Sequence, residues 1–299
     1  MLDKKSFTYA SDDHSVFQRF FIRCVEKLTG QLKIWSLYKE YQVENRREDE
    51  TFWDAAIRKL DVFVDYDREK LSAIPKTGPL VVVSNHPYGV LDGLIINQIM
   101  TRVRDDYKVL TNSVLCQMPE TEANLLEIDF SNTPEALQTN LQTRKIAREV
   151  LKNGGAIAVF PAGGVSTISS LSEKLAQDTQ WQPFIASLIQ TSKADVVPIF
   201  FEGQNSRLFQ VASLFSMTLR LSLFFKEVVN KMGGVVRVEV GETIPFKELS
   251  HIQNRDDLCE YLRTETYKLG GHTYLTEAQP AYRLKPYKAG LSSTDEAPN

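Results

Sequence analysis

Leu80-Val81-Val82-Val83-Ser84 is a short run with no charged residue inside it, and apolar runs of this kind recur along the chain with helical stretches between them. A strand that is apolar on both sides has to be covered on both faces. Chains that alternate such strands with helices build a sheet with parallel pairs and helices packed on its faces. From residue 51 the expected order starts with a short helix through Phe52, Trp53, Ala56, Ile57 and Leu60. A half-buried strand follows, alternating Val62, Val64 and Tyr66, then a Pro/Gly turn at 75–79 and the strand 80–84. Helices are expected at 91–103, 134–151, 183–191 and 256–268, with further helices up to about 230. Strands are expected at 107–110, 156–160, 196–201 and 235–240. The predicted class is α/β: a mixed, largely parallel sheet flanked by helices, with an N-terminal amphipathic helical extension.

That extension covers residues 1–50. With a cap at Ser11 or Asp12, the residues Val16, Phe17, Phe20, Phe21, Cys24, Val25 and Leu28 repeat on one helical face, and Arg19, Arg23 and Lys27 take the other. Gly30 is the expected stop. A basic amphipathic helix either docks on its own domain or lies on a membrane surface, and both readings stay open. A second helical stretch holds Leu32, Trp35, Tyr38 and Tyr41, and the polar run 44–50 reads as a linker. Residues 51–275 form the expected α/β domain. Residues 276–299 read as a flexible tail, carrying Arg283, Lys285 and Lys288 before a small, polar end.

Composition narrows the class. With 299 residues and 42% hydrophobic content, the chain can bury a sizeable core, which excludes a disordered protein. Its 35 basic residues stand against 38 acidic ones, so the excess that a nucleic-acid partner requires is missing. Cys24, Cys116 and Cys259 are far apart and form neither a metal spacing nor a disulfide framework, which points to a reducing compartment. No apolar block follows the first residues and no 18-residue apolar run occurs, so neither a signal peptide nor a spanning helix is expected. Peripheral contact with a membrane is left open.

Of the histidines, only His86 sits where an α/β fold places a ligand, just past the C-terminal end of an apolar strand. His14, His251 and His272 have no partners in metal spacing and read as structural or surface residues. The local sequence is Asn85-His86-Pro87-Tyr88-Gly89-Val90-Leu91-Asp92-Gly93. A His here can act as a general base. Asp92 either orients its ring or caps the following helix, and one carboxylate can do both. A second loop, Phe160-Pro161-Ala162-Gly163-Gly164-Val165-Ser166, also follows an apolar strand. Its glycines are either a tight turn or a source of N–H groups for an oxyanion, as are those near Gly93. A third loop brings Glu202, Gln204, Asn205 and Arg207 to the end of the next strand. Three polar loops at three strand ends argue for one site.

The order and separation of these blocks resemble the glycerolipid (lysophospholipid) acyltransferase superfamily over roughly residues 60–245. Asn85-His86 with Asp92, then Phe160-Pro161 with Gly163 and Ser166, then Val197-Pro198, carry the resemblance. The fuller strings, from Asn85 to Gly93 and from Glu202 to Phe209, look like the branch often labelled hemolysins, which includes acyltransferases of ornithine lipids and related aminolipids. The resemblance implies that His86 is the base activating a hydroxyl against an acyl thioester, and that Asp92 orients it. It places the substrate among Asn85, Gly89, Gly93, Phe160, Pro161, Gly163, Gly164, Ser166, Glu202, Asn205 and Arg207, with no metal and no cofactor. Two departures are visible. The superfamily usually has four residues between His and Asp, where five stand here. Its Phe-Pro-Glu-Gly-Thr-Arg-Ser block is altered, with Ala162, Gly164 and Val165 at the Glu, Thr and Arg positions. That Arg is associated with an acceptor phosphate, so a lyso-aminolipid is expected in preference to lysophosphatidic acid, with Arg207 as a substitute anion contact.

The implied partners are a lysolipid acceptor, a coenzyme A or acyl carrier protein thioester as donor, and a membrane surface. The implied location is peripheral, on the cytoplasmic side of an inner membrane. The apolar stretch 208–225 is either core or a membrane-facing route for the acyl chain. Two other readings remain: a lipid-binding scaffold of the same fold without catalysis, and a thioesterase using the same base on water.

Overall fold

The computed structural model describes residues 7–10, 14–44, 49–112, 116, 118–129 and 133–271. Ser11, Asp12, His272 and the expected tail 276–299 lie outside these. Seven strands form one sheet: β1 (Phe63–Tyr66), β2 (Leu80–Ser84), β3 (Tyr107–Asn112), β4 (Leu125–Ile128), β5 (Ala156–Val159), β6 (Asp195–Phe201) and β7 (Val235–Val240). Their order is β1-β7-β6-β2-β5-β3-β4. Every pair is parallel except β6 with β7. The class is therefore the mixed, largely parallel α/β sheet that the alternation predicts.

The helices are α1 (Val16–Thr29), α2 (Gln31–Val43), α3 (Phe52–Lys59), α4 (Arg68–Ser72), α5 (Val90–Val103), α6 (Pro134–Lys152), α7 (Pro183–Ser192), α8 (Arg207–Phe215), α9 (Met217–Ser222), α10 (Phe224–Lys231), α11 (Phe246–Leu249) and α12 (Arg255–Leu269). The central strand shows why its sequence does not alternate. Leu80 and Val82 of β2 pack with Trp53 of α3 and Ile95 of α5 on one face of the sheet. Val81 and Val83 pack with Leu151 of α6, Leu188 of α7 and Leu262 of α12 on the other. All five residues of β2 are buried, because helices cover both sides.

β2 lies between β5 and β6, in register at Val82↔Ala158 and Val82↔Val197. The three polar loops therefore leave adjacent parallel strands at the same edge of the sheet. That edge, beyond the carboxyl ends of the strands, is where α/β folds bind ligands.

The N-terminal extension is helical, with corrected details. α1 starts at Val16, not at a Ser11 or Asp12 cap, because Ser15 and Gln18 form a reciprocal capping box. Gly30 does end it. Its buried positions are Ile22 and Glu26, whereas Val16, Phe17 and Phe20 are 75%, 76% and 67% exposed. Docking on the domain therefore covers only part of the apolar face. A bond from Gln18 Nε2 to Thr218 Oγ1 (3.3 Å) sets the start of α1 against α9, near Phe215 and Met217, which are also exposed. Among the described residues no helix is long and apolar enough to cross a membrane.

Candidate active site

The loop after β2 is fixed first by Asn85. Its side-chain amide donates to Phe201 O (2.9 Å) and accepts from Phe201 N–H (2.7 Å). A side chain thus continues the β2–β6 ladder beyond the last strand residue. Asn85 is buried there and positions the loop.

His86 follows. Its Nδ1 lies 2.9 Å from Asp92 Oδ2. The same oxygen accepts from Tyr88 N–H (2.8 Å) and Gly89 N–H (2.9 Å). Asp92 therefore caps α5 and contacts the imidazole at once. The five-residue spacing is accommodated at Gly89, whose φ of +85° a side chain would strain. Asp92 is fully buried, while the His86 side chain keeps 17% exposure. Among the described residues Nε2 of His86 has no hydrogen-bond partner. The ring stacks on Phe160, with centroids 4.0 Å apart and planes at 19°.

The loop after β5 closes against this one. Gly163 N–H donates to Phe160 O (3.0 Å), so it forms the tight turn and is not a free oxyanion donor. Gly93 N–H is likewise taken by Gly89 O (3.2 Å) within the first turn of α5. The amides of Gly164 and Val165 have no acceptor among the described residues and remain the oxyanion candidates. Pro161 O accepts from Gln182 N–H (2.9 Å), which ties the turn to the start of α7. Ser166 N–H donates to His86 O (2.8 Å), and its hydroxyl donates to Asp178 Oδ1 (2.5 Å). Ser166 is buried and positions the two loops on each other.

Asp178 is the residue that sequence reasoning missed. Its Oδ1 also accepts from His86 N–H (3.1 Å), and its Oδ2 from Trp181 Nε1–H (3.0 Å). Burial raises its carboxyl above the usual range, and these bonds with the nearby Arg263 pull the other way. A lone acid between polar residues leaves no local signal, since its partners in the site, His86 and Ser166, are brought to it by the fold.

The third loop contributes less than expected. The Glu202 carboxylate points to Arg237 at the surface (3.6 Å), while its backbone oxygen accepts from the Tyr88 hydroxyl. A Cβ at Gly203 would stand 2.1 Å from that hydroxyl, so the position requires glycine. Asn205 is buried behind Tyr88, with Nδ2 donating to Tyr88 O (3.4 Å). Arg207 is turned toward the segment that follows the second loop. Its guanidinium is held by the backbone oxygens of Glu173 and Leu171. The cation that does reach the second loop is Arg220 of α9, whose Nη2 donates to Val165 O (2.7 Å).

Behind α5, an apolar cavity of about 90 Å³ lies between the helical extension and the domain, lined by Phe7, Leu37, Val90, Leu94 and Phe225. Among the described residues no group of three or more His, Cys, Asp or Glu side chains is placed to hold a metal ion. Cys259 is buried, and burial pushes its thiol up to about 11.

Residues 31–273 match a family model described as Acyltransferase. A relative from Bacteroides thetaiotaomicron, named lyso-glycine lipid O-acyltransferase, is 24% identical over 279 residues, covering 90% of this chain and 96% of its own. A relative of the same name from Phocaeicola vulgatus is 22% identical, covering 90% and 94%. Among solved structures, the 1-acyl-sn-glycerophosphate acyltransferase PlsC from Thermotoga maritima is similar with a TM-score of 0.47 and 16% identity, covering 85% of this chain and 96% of that one.

Proposed function

We propose that this chain, which belongs to the acyltransferase family and is an acyltransferase enzyme, moves a fatty acyl group from an acyl thioester to the hydroxyl of a lysolipid, with His86 as general base. The observation that carries the reading is the 2.9 Å contact of His86 Nδ1 with buried Asp92, which leaves Nε2 for a substrate. An alcohol is a weak nucleophile, so proton removal must accompany attack. Nε2 takes the hydroxyl proton as oxygen bonds to the thioester carbon. Asp92 holds the tautomer and faces the imidazolium that forms. The amides of Gly164 and Val165 are the donors for the oxyanion. On collapse the C–S bond breaks, and the departing thiolate takes the proton back from His86. The products are an ester and a free thiol.

An amino-acid lysolipid fits better than lysophosphatidic acid as acceptor. Val165 stands at the arginine position of the second loop, and the two curated relatives are named for a lyso-glycine lipid. The donor is an acyl chain on coenzyme A or on acyl carrier protein. The exposed Val16, Phe17 and Phe20, with Phe215 and Met217 nearby, support peripheral binding to a bilayer. Thioester donors place that bilayer face on the cytoplasmic side of the inner membrane.

The test is transfer of a labelled acyl group from a thioester to a panel of acceptors: glycerol-3-phosphate, lysophosphatidic acid, and lyso-aminolipids of ornithine, glycine and serine. Wild type should label an aminolipid, and His86→Ala should lose roughly 10²–10⁴-fold in rate. Wild-type rates in His86→Ala would remove the base from the mechanism. Release of free fatty acid at a rate indifferent to acceptor would identify a thioesterase instead.

A further inference from the structure

We propose that Arg220 binds the anionic head group of the acceptor, pairing its guanidinium with the ionised carboxylate of an amino-acid lysolipid beside His86. The proposal rests on the acyl-transfer reading above and adds the group that selects the acceptor.

Arg220 is a partly buried charge without a counter-charge. Its guanidinium donates to Val165 O (2.7 Å), and among the described residues no carboxylate lies within ion-pair distance of it. Burial lowers its pKa below the ordinary guanidinium value, with no acid opposing that shift. A guanidinium carries five N–H donors, so a single carbonyl leaves most of them unused. A half-buried guanidinium is partly stripped of water, and an anionic ligand offsets that cost.

Its position ties it to the chemistry. The peptide between Val165 and Ser166 takes Arg220 on its carbonyl and donates its N–H to His86 O (2.8 Å). One peptide unit thus joins the guanidinium to the backbone of the base. Gly164 leaves room against the guanidinium: its chain neighbours aside, a Cβ built there would meet Arg220 Nη2 at 3.6 Å and nothing else within 4 Å. A carboxylate entering there would find a planar donor pair suited to bidentate contact. The other cations nearby are otherwise engaged. Arg207 is held by two backbone carbonyls, and Lys231 lies over the Tyr88 ring (4.4 Å to its centroid) with the charges of Glu227 and Asp92 acting on it.

The same chemistry could take a phosphate of the thioester donor, so the test separates the two sources. Wild type is assayed with a lyso-glycine lipid and with its methyl ester, which keeps the hydroxyl and removes the charge. The ester should lose roughly 10- to 100-fold in kcat/KM, the size expected for one charge-assisted contact. Arg220→Gln should raise the acceptor KM by a similar factor, leave the donor KM unchanged and no longer distinguish acid from ester. Arg220→Lys should recover part of the loss. Should Arg220→Gln fail to fold, Arg220→Lys decides: it should distinguish acid from ester less than wild type does, and an unchanged ratio would overturn the proposal. Equal rates for acid and ester, or a raised donor KM with an unchanged acceptor KM, would overturn the proposal. No transfer to any lysolipid by wild type would overturn the acyl-transfer reading itself, and this proposal with it.

Discussion

The backbone N–H of His86 donates to Asp178 Oδ1 at 3.1 Å, across 92 residues of sequence. The same oxygen takes the Ser166 hydroxyl, so one buried carboxylate holds both the loop that carries the imidazole and the loop that faces it. Asp178 touches no reacting atom and acts through the backbone of His86. Asp178→Ala strands three buried donors, those of His86, Ser166 and Trp181, and should destabilise the fold by about 3 kcal/mol. Asp178→Asn keeps an acceptor for His86 and should recover part of that. In Asp178→Asn, kcat should fall while the KM for both substrates holds, because the defect lies in the aim of the ring. A loss of stability with an unchanged kcat would reduce Asp178 to a packing role.

Asp92 has two roles that one substitution can separate. Asparagine keeps an oxygen for the N–H groups of Tyr88 and Gly89, so Asp92→Asn should cost the melting temperature far less than Asp92→Ala. It removes the negative charge from beside Nδ1, and kcat should drop by about 10²-fold or more. Steady-state kinetics with a melting curve on the same sample checks both. An unchanged kcat would leave Asp92 as a cap alone.

The parts of the molecule visible in the sequence are those whose cause is local. β2, β5 and β6 announce themselves because they are buried on both faces and so read as unbroken apolar runs. β4 is four residues at the end of the sheet, paired only with β3 and half-exposed toward its end, too short to give a period. The joining of β1 to β7 brings the first strand against the last, a contact that no window of sequence contains. The site divides in the same way. His86 and Asp92 lie within one loop and one helical turn, so their spacing is readable. Arg207 stands in the third polar loop, yet the fold turns it to Leu171 and Glu173 and brings Arg220 to Val165 from a later helix. Asp178 and Arg220 acquire their roles only through tertiary contacts.

Glu26 couples the helical extension to pH. Its carboxyl accepts from the Thr8 hydroxyl (2.5 Å) and from Tyr9 N–H (2.7 Å), and burial raises it from 4.5 to about 7. A carboxyl raised on folding holds its proton more tightly in the folded state. The stability it contributes is therefore fully present below about pH 4.5 and is lost as pH rises through about 7. The shift corresponds to on the order of 3 kcal/mol. Glu26→Gln keeps an oxygen for Tyr9 N–H, and its amide nitrogen donates to the Thr8 hydroxyl in place of accepting from it, without the titration. The difference in unfolding free energy between the variant and wild type should widen between pH 5 and about pH 8, in favour of the variant. Parallel pH profiles for the two proteins would refute this.

The exposed phenylalanines of α1 predict how the protein meets lipid. Phe17 and Phe20 are 76% and 67% exposed on a helix that also carries Arg19, Arg23 and Lys27. Burying one such side chain is worth about 1.5–3 kcal/mol in full, and insertion at a bilayer interface yields part of that. Phe17→Ser with Phe20→Ser should therefore weaken co-sedimentation with anionic vesicles by about 10-fold or more. Neither residue is in the core, so the melting temperature should hold. Transfer to a short-chain acceptor in solution should also hold, because His86, Asp92 and Asp178 are untouched. Transfer to an acceptor embedded in vesicles should fall with binding. Vesicle binding unchanged in the double variant would show that this face serves another purpose.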